Sequence, residues 1–233
     1  MSADTDSEIA KILSNPRYWL QQLIWRGDRD LVMEMLQNSP ELLHARLSGN
    51  ATPLLAAAYA QKTELAESFL AMGAKLDYIT AIALNRRDTV EAMLNHDPEL
   101  IHKQSPDRIG CLHVAVRFAD YHLVSLLLAR GANANDNRNP KKLTPIFMAW
   151  ADPSNNANLL LQAGANVNAQ SKHGFTPLHW AARSGRSEYV RWLLANGANA
   201  PAQTSGRQTA WTFAVRYKHH EIASILTSHE AKA

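Results

Sequence analysis

Residues 174–200 read GFTPLHWAARSGRSEYVRWLLANGANA. Thr176 can cap a helix N-terminus through its hydroxyl. Pro177 suits the first turn, where its missing N–H costs nothing. Leu178, Ala181 and Ala182 recur at helical spacing and form an apolar stripe. Gly185 can take the left-handed conformation that closes a helix. Tyr189, Val190, Leu193 and Leu194 make a second stripe, and Gly197 can end it. The stretch predicts a helix, a tight turn, an antiparallel helix and a loop built on GANxN. The small Ala pair lets the first helices of neighbouring units approach closely.

The same pattern recurs in ATPLLAAAYAQKTELAESFLAMGAKLD (51–77), GCLHVAVRFADYHLVSLLLARGANAN (110–135) and LTPIFMAWADPSNNANLLLQAGANVN (143–168). Aligned on the Thr of Thr-Pro-Leu-His, equivalent positions fall at Tyr18, Thr52, Leu76, Gly110, Thr144, Thr176 and Thr209. The steps are 34, 24, 34, 34, 32 and 33 residues, so five of six cluster near one period. A fixed period of this size is the signature of stacked repeats.

These residues and their period resemble the ankyrin repeat family, over residues 16 to about 229. The resemblance implies an all-α solenoid of about seven helix-turn-helix repeats with β-hairpin fingers. It implies a single repeat domain over 16–229, followed by a tail at 230–233. Residues 1–15 are expected to form either a short helix around Ser7–Leu13 or a disordered segment. The 24-residue step deletes the finger region near Gly73–Leu76, so one hairpin is expected to be missing between repeats two and three. Residues 19–37 and 209–233 carry the polar character of end caps, which a stack needs for solubility. Trp150 takes a position usually held by Ala, and packing should distort near Asp152 and Pro153. Trp211 falls on the core Leu position and is expected to pack inside.

Composition narrows the function classes. Apolar residues make up 46% and charged residues 19%, which excludes a disordered chain. One cysteine, Cys111, cannot close an internal disulfide and fits a reducing compartment. The leading MSADTDSEIA lacks a basic stretch followed by an apolar one, so no signal peptide is expected. No apolar run reaches membrane-spanning length. A cytoplasmic location is the expectation. Formal net charge is +3, too small to name a partner by itself.

No catalytic constellation stands out: there is no phosphate-cradling Gly-rich loop, Gly-x-Ser-x-Gly elbow or His-Glu-x-x-His. The expectation is a chain that is not an enzyme and carries no cofactor, metal site or small-molecule substrate. His113 and His179 lie within the repeat motif, where the resemblance implies hydrogen bonds linking neighbouring loops. Cys111 and His113 stand two apart on one turn and do not face each other as nucleophile and base. Cys111 is expected to be an inert thiol.

The resemblance places partners on a concave side made of fingers and first helices. The exposed helix positions there follow the Ala pair: Trp25 and Arg26, Tyr59 and Ala60, Ala83 and Leu84, Arg117 and Phe118, Ala151 and Asp152, Arg183 and Ser184, Arg216 and Tyr217. Four Arg and four aromatic residues occupy these fourteen positions, and both types are enriched in protein-binding hot spots. Finger tips add Arg138, Lys141, Lys142, Lys172, His173 and Phe175. The expected function is protein–protein recognition as an adaptor, inhibitor or regulator, with an acidic partner surface. The expected contacts are Trp25, Arg26, Tyr59, Arg117, Phe118, Lys172, His173, Phe175, Arg183, Arg216 and Tyr217. The alternatives are nucleic-acid binding through the same basic aromatic face, disfavoured by the small net charge, and structural self-association.

Overall fold

A computed structural model describes residues 15–231; the reading of residues 1–14 and the last two residues of the tail lie outside it. The chain divides into two compact units, Met1–Val90 and Glu91–Ala233. Both are built of short helices. Among the described residues no strand forms, and one antiparallel bridge joins Gln104 to Gly110.

In the first unit, α1 (Pro16–Arg26) and α2 (Arg29–Asn38) form one antiparallel pair, and α3 (Pro53–Tyr59) and α4 (Thr63–Ala71) form the next. The short α5 (Tyr78–Ala83) packs on α3. Leu20, Ile24, Val32, Leu36, Leu54, Ala57, Leu65 and Phe69 make the core between the pairs. The helix starts follow their caps. Thr52 accepts from the Leu55 N–H at 3.1 Å. Asn15, three residues before Tyr18, caps α1, and Asp77, one residue after Leu76, caps α5 at 2.9 Å. Alignment on the Thr position therefore misplaces both starts. The far ends agree better, because the turn residue has positive φ at Gly27, Gln61 and Asn85, as it does at Gly185 and Lys218. Residues 72–77 alone link α4 to α5, whereas residues 39–52 link α2 to α3.

Helix α6 (Arg87–His96) spans the division between units. The second unit continues with α7 (Cys111–Phe118) and α8 (Tyr121–Ala129). A 3-10 segment (Pro145–Ala151) and a π-turn (Pro153–Ala157) then lead into α9 (Asn158–Gln162). Two regular pairs follow: α10 (Pro177–Arg183) with α11 (Ser187–Ala195), and α12 (Ala210–Arg216) with α13 (His220–Glu230). First helices stack on first helices, as α10 does on α12. Ala181, Ala182 and Ala214 are fully buried in that contact zone.

The irregular stretch has a physical cause. Trp150 stands where Ala182 stands in the regular repeat, and an indole cannot occupy the space of a methyl group in a close-packed interface. The segment overwinds to 3-10 and carries the indole to a half-buried position. Thr144 then loses its capping role. The Phe147 N–H bonds the Thr144 carbonyl at 3.0 Å, and the buried Thr144 hydroxyl has no partner.

Loops are held to loops by side chains. Asn135 donates to the Gly164 carbonyl and accepts from the Asn166 N–H, at 2.8 and 2.9 Å. Asn168 repeats this with Gly197 and Asn199, at 3.0 and 2.8 Å. This is why the loops read GANxN. The loop tips close by backbone bonds, Ser171 N–H to Phe175 O with Gly174 N–H to Ser171 O, and Thr204 N–H to Gln208 O with Arg207 N–H to Thr204 O.

Trp211 departs from expectation. It is 43% exposed, although its counterpart Leu178 is buried. The Leu178 face is covered because α12 packs on α10; no further described helix covers the same face of α12.

Gly185 shows what the turn requires. Its φ is +70°, and a Cβ there would stand 2.8 Å from the His219 ring. Gly185→Ala is expected to cost about 1–3 kcal/mol from left-handed strain plus displacement of His219. Urea unfolding followed by circular dichroism would check this; an unchanged midpoint would contradict it.

Candidate functional site

Helix ends position most of the candidate residues. In the first unit, Trp25 and Arg26 end α1 and are exposed, while Tyr59 ends α3 and is half-buried. Ala83, expected at the surface, is buried at 7% exposure; α5 starts one residue late and lies down on α3.

The second unit brings several candidates together. Arg117 and Phe118 end α7, with the Arg117 guanidinium 5.4 Å from the Phe118 ring centroid. The same guanidinium stands 3.9 Å from the Trp150 ring. Arg186, at the start of α11, stands 3.7 Å from that ring. Arg183 lies over Tyr217 at 5.4 Å, joining the ends of α10 and α12. Arg216 faces the Gln208 carboxamide, and turning the amide so that its oxygen meets Nη1 at 3.1 Å satisfies both groups.

Some arginines of the chain pair with carboxylates, and among the described residues these four do not. Arg130 pairs with Glu91, Arg191 with Glu221 and Arg138 with Asp136. No carboxylate among the described residues pairs with Arg117, Arg183, Arg186 or Arg216. Burial, with the Arg186 charge added, holds the Arg117 guanidinium below its ordinary pKa. An anion placed there would relieve like-charge repulsion.

The loop-tip residues divide. Lys172 and His173 are exposed, and their backbones tie loops together: Lys172 N–H to Lys141 O at 2.9 Å, and Ser205 N–H to His173 O at 3.0 Å. Phe175 is half-buried and packs 5.1 Å from Phe213 and 5.9 Å from His179, so it also braces the repeat. Arg138 is occupied by two bonds to Asp136, at 2.8 and 3.0 Å. Burial pushes the Asp136 carboxyl up, and Arg138 more than reverses this. That carboxylate lies 2.5 Å from where a Gly110 Cβ would be, which is why Thr gives way to Gly at that cap.

The motif histidines link loops, as expected from their place in the repeat. His179 Nε2 donates to the Gln208 carbonyl at 3.0 Å, and its Nδ1 accepts from the Thr176 N–H at 3.1 Å. His113 Nε2 donates to Leu143 O at 2.8 Å. Cys111 is buried and donates to Ile101 O at 3.0 Å, a packing role.

Trp150 and Arg186 were missing from the sequence-derived contact set. Trp150 reads as a packing fault, and Arg186 lies two residues past the exposed pair Arg183 and Ser184. The available signal was the indole itself: an aromatic that cannot enter the Ala site has to lie on the surface beside neighbouring repeat ends.

Comparison with known proteins agrees with this architecture. A model of ankyrin repeats matches in three copies, over residues 78–171, 112–204 and 151–233. The chain belongs to the ankyrin repeat family. It is 34% identical over 180 residues to the E3 ubiquitin-protein ligase XB3 of Oryza sativa subsp. japonica, covering 57% of this chain and 40% of that protein. It is 32% identical over 130 residues to the human ankyrin repeat and SOCS box protein 6, covering 52% and 31%. Similarity to the human ankyrin repeat and KH domain-containing protein 1 is 38% over 97 residues, covering 41% and 4%. The chain thus spans less than half the length of these relatives. Ankyrin repeats are, in general, protein–protein interaction modules. No helix among the described residues is long and apolar enough to cross a membrane.

Proposed function

We propose that this chain is a non-catalytic, cytoplasmic protein-recognition module that holds an acidic segment of a partner against the helix ends of its second unit. The observation that carries this reading is four arginines without carboxylate partners, set among Phe118, Trp150 and Tyr217. Arg and aromatic side chains in a fixed arrangement lose little entropy on binding. In sequence, residues 16–229 are taken as seven repeats, with the 72–77 link marking a missing finger. Trp25, Arg26, Tyr59, Lys172 and His173 are proposed as further contacts of the same kind. Catalysis named in a relative is assigned to that relative, not to this chain.

Arg183→Glu with Arg216→Glu tests the reading, because both side chains are exposed and the fold should survive. Partner capture from lysate is expected to fall at least about tenfold, since reversing a charge opposite an acidic surface costs affinity. Undiminished capture by a folded variant would overturn it.

A nucleic-acid reading gains no support from Trp150. Base stacking needs an open aromatic face, and both faces of Trp150 are covered by guanidinium groups. Self-association has one observation in its favour: Trp211 and Val215, one turn apart on α12, are 43% and 47% exposed. Concentration-dependent sedimentation that vanishes in Trp211→Ser would support it.

A further inference from the structure

Trp150 has a guanidinium on each face. Two planar cations 3.9 and 3.7 Å from one ring centroid cannot share a face without overlapping. Arg117 and Arg186 therefore lie on opposite sides, no farther apart than the two heights combined. Stacking uses their flat surfaces and leaves their N–H edges free. Neither guanidinium donates a hydrogen bond to another described residue, although each carries five N–H groups.

The nearby acids are engaged or turned elsewhere. Asp152 spends both oxygens on Asn155, accepting from its backbone and side-chain N–H groups at 3.2 and 3.0 Å. Asp120 caps α8 through the Leu123 N–H at 3.0 Å. Glu188, in the first turn of α11, is exposed and forms no ion pair with either arginine. Arg186 is itself the N-cap residue of α11, which no side chain caps, so the positive helix end adds to the local field.

We propose that Arg117, Trp150 and Arg186 form a clamp for the phosphoryl group of a phosphorylated serine or threonine on a partner protein. This rests on the protein-recognition reading above and makes it specific. The argument is charge matching. A carboxylate brings one negative charge to two fixed cations and leaves one uncompensated. A phosphoryl group brings about −1.5 to −2 and three strong acceptor oxygens. Guanidinium edges bind such oxygens in pairs. The indole holds both planes in register, so little ordering remains to be done on binding.

The test uses the full chain and a fluorescent peptide library with a central phosphoserine flanked by randomised positions. Matched libraries carry Ser or Glu at the centre. Binding is read by fluorescence anisotropy at about 0.1 M salt, where long-range steering is screened. The phosphoserine library is expected to bind at least about tenfold tighter than the Glu library. Arg117→Gln and Arg186→Gln should each remove that preference, while Arg130→Gln, outside the site, should keep it. Equal binding of the Glu and phosphoserine libraries would overturn the phosphoryl assignment. If both are then lost in Arg183→Glu with Arg216→Glu, the acidic-segment reading survives alone. A preference retained by folded Arg117→Gln and Arg186→Gln variants would overturn the clamp. So would equal competition by a single-stranded oligonucleotide.

Discussion

Phe147→Ala is expected to lower the unfolding free energy by about 3–5 kcal/mol, the cost of emptying a large buried aromatic site. Phe147 has no exposed surface and sits in the 3-10 segment Pro145–Ala151. That segment packs on α7 before it and on α10 after it. In a repeat array each unit is stabilised mainly by its neighbours, so the cavity weakens two interfaces together. The 3-10 geometry offers little room for collapse, because Trp150 already occupies the next turn. Urea denaturation would show a lower midpoint, and the Trp150 environment would change at denaturant concentrations that leave the parent folded. A loss below about 1 kcal/mol would mean that this segment is not the keystone its burial implies.

His179→Ala is expected to cost about 1–3 kcal/mol, because it strands the buried Thr176 N–H and removes one of the two donors to the Gln208 carbonyl. The imidazole accepts the Thr176 N–H at Nδ1 and donates to the Gln208 carbonyl from Nε2. Acceptance at Nδ1 requires the neutral ring, and the two bonds together specify the Nε2–H tautomer. Burial, its largest influence, holds the His179 pKa below 6.5, and the same is true of His113. The unfolded chain therefore takes up protons first as pH falls. Stability is full above pH 6.5 and is lost progressively as pH drops toward the folded pKa values. The slope reaches about 1.4 kcal/mol per pH unit for each histidine still neutral in the folded state. Thermal melts between pH 8 and 5 should show the decline. Flat stability over that range would contradict the assignment; in His179→Gln the slope should be shallower.

Much of the fold was legible because the repeat writes its own punctuation. Thr52, Thr176 and Thr209 cap helices as their spacing predicts. Gly185 and Gly197 take positive φ as required. The misplaced starts of α1 and α5 arise where Asn15 and Asp77 supply the capping oxygen instead of Thr. The turns at Gln61, Asn85 and Lys218 carry left-handed residues that no Gly announces. Trp211 was misread because burial at that position depends on the next repeat, not on the residue.

The candidate surface was only half legible. Repeat phase found Arg117, Phe118, Arg183, Arg216 and Tyr217, since their positions follow from helix ends. It could not find the Trp150 sandwich, which exists because one repeat breaks phase. Phase also could not show that Phe175 braces Phe213 and His179. Which arginines have carboxylate partners is a matter of side-chain geometry, and no spacing rule encodes it.

The most direct measurement is hydrogen–deuterium exchange of the chain alone and with a captured partner bound. Protection concentrated at residues 116–119, 150–152, 183–187 and 215–218 is the predicted result. Protection confined to the second helices, α8, α11 beyond its first turn, and α13, would contradict the central claim that the arginine-rich helix ends carry recognition.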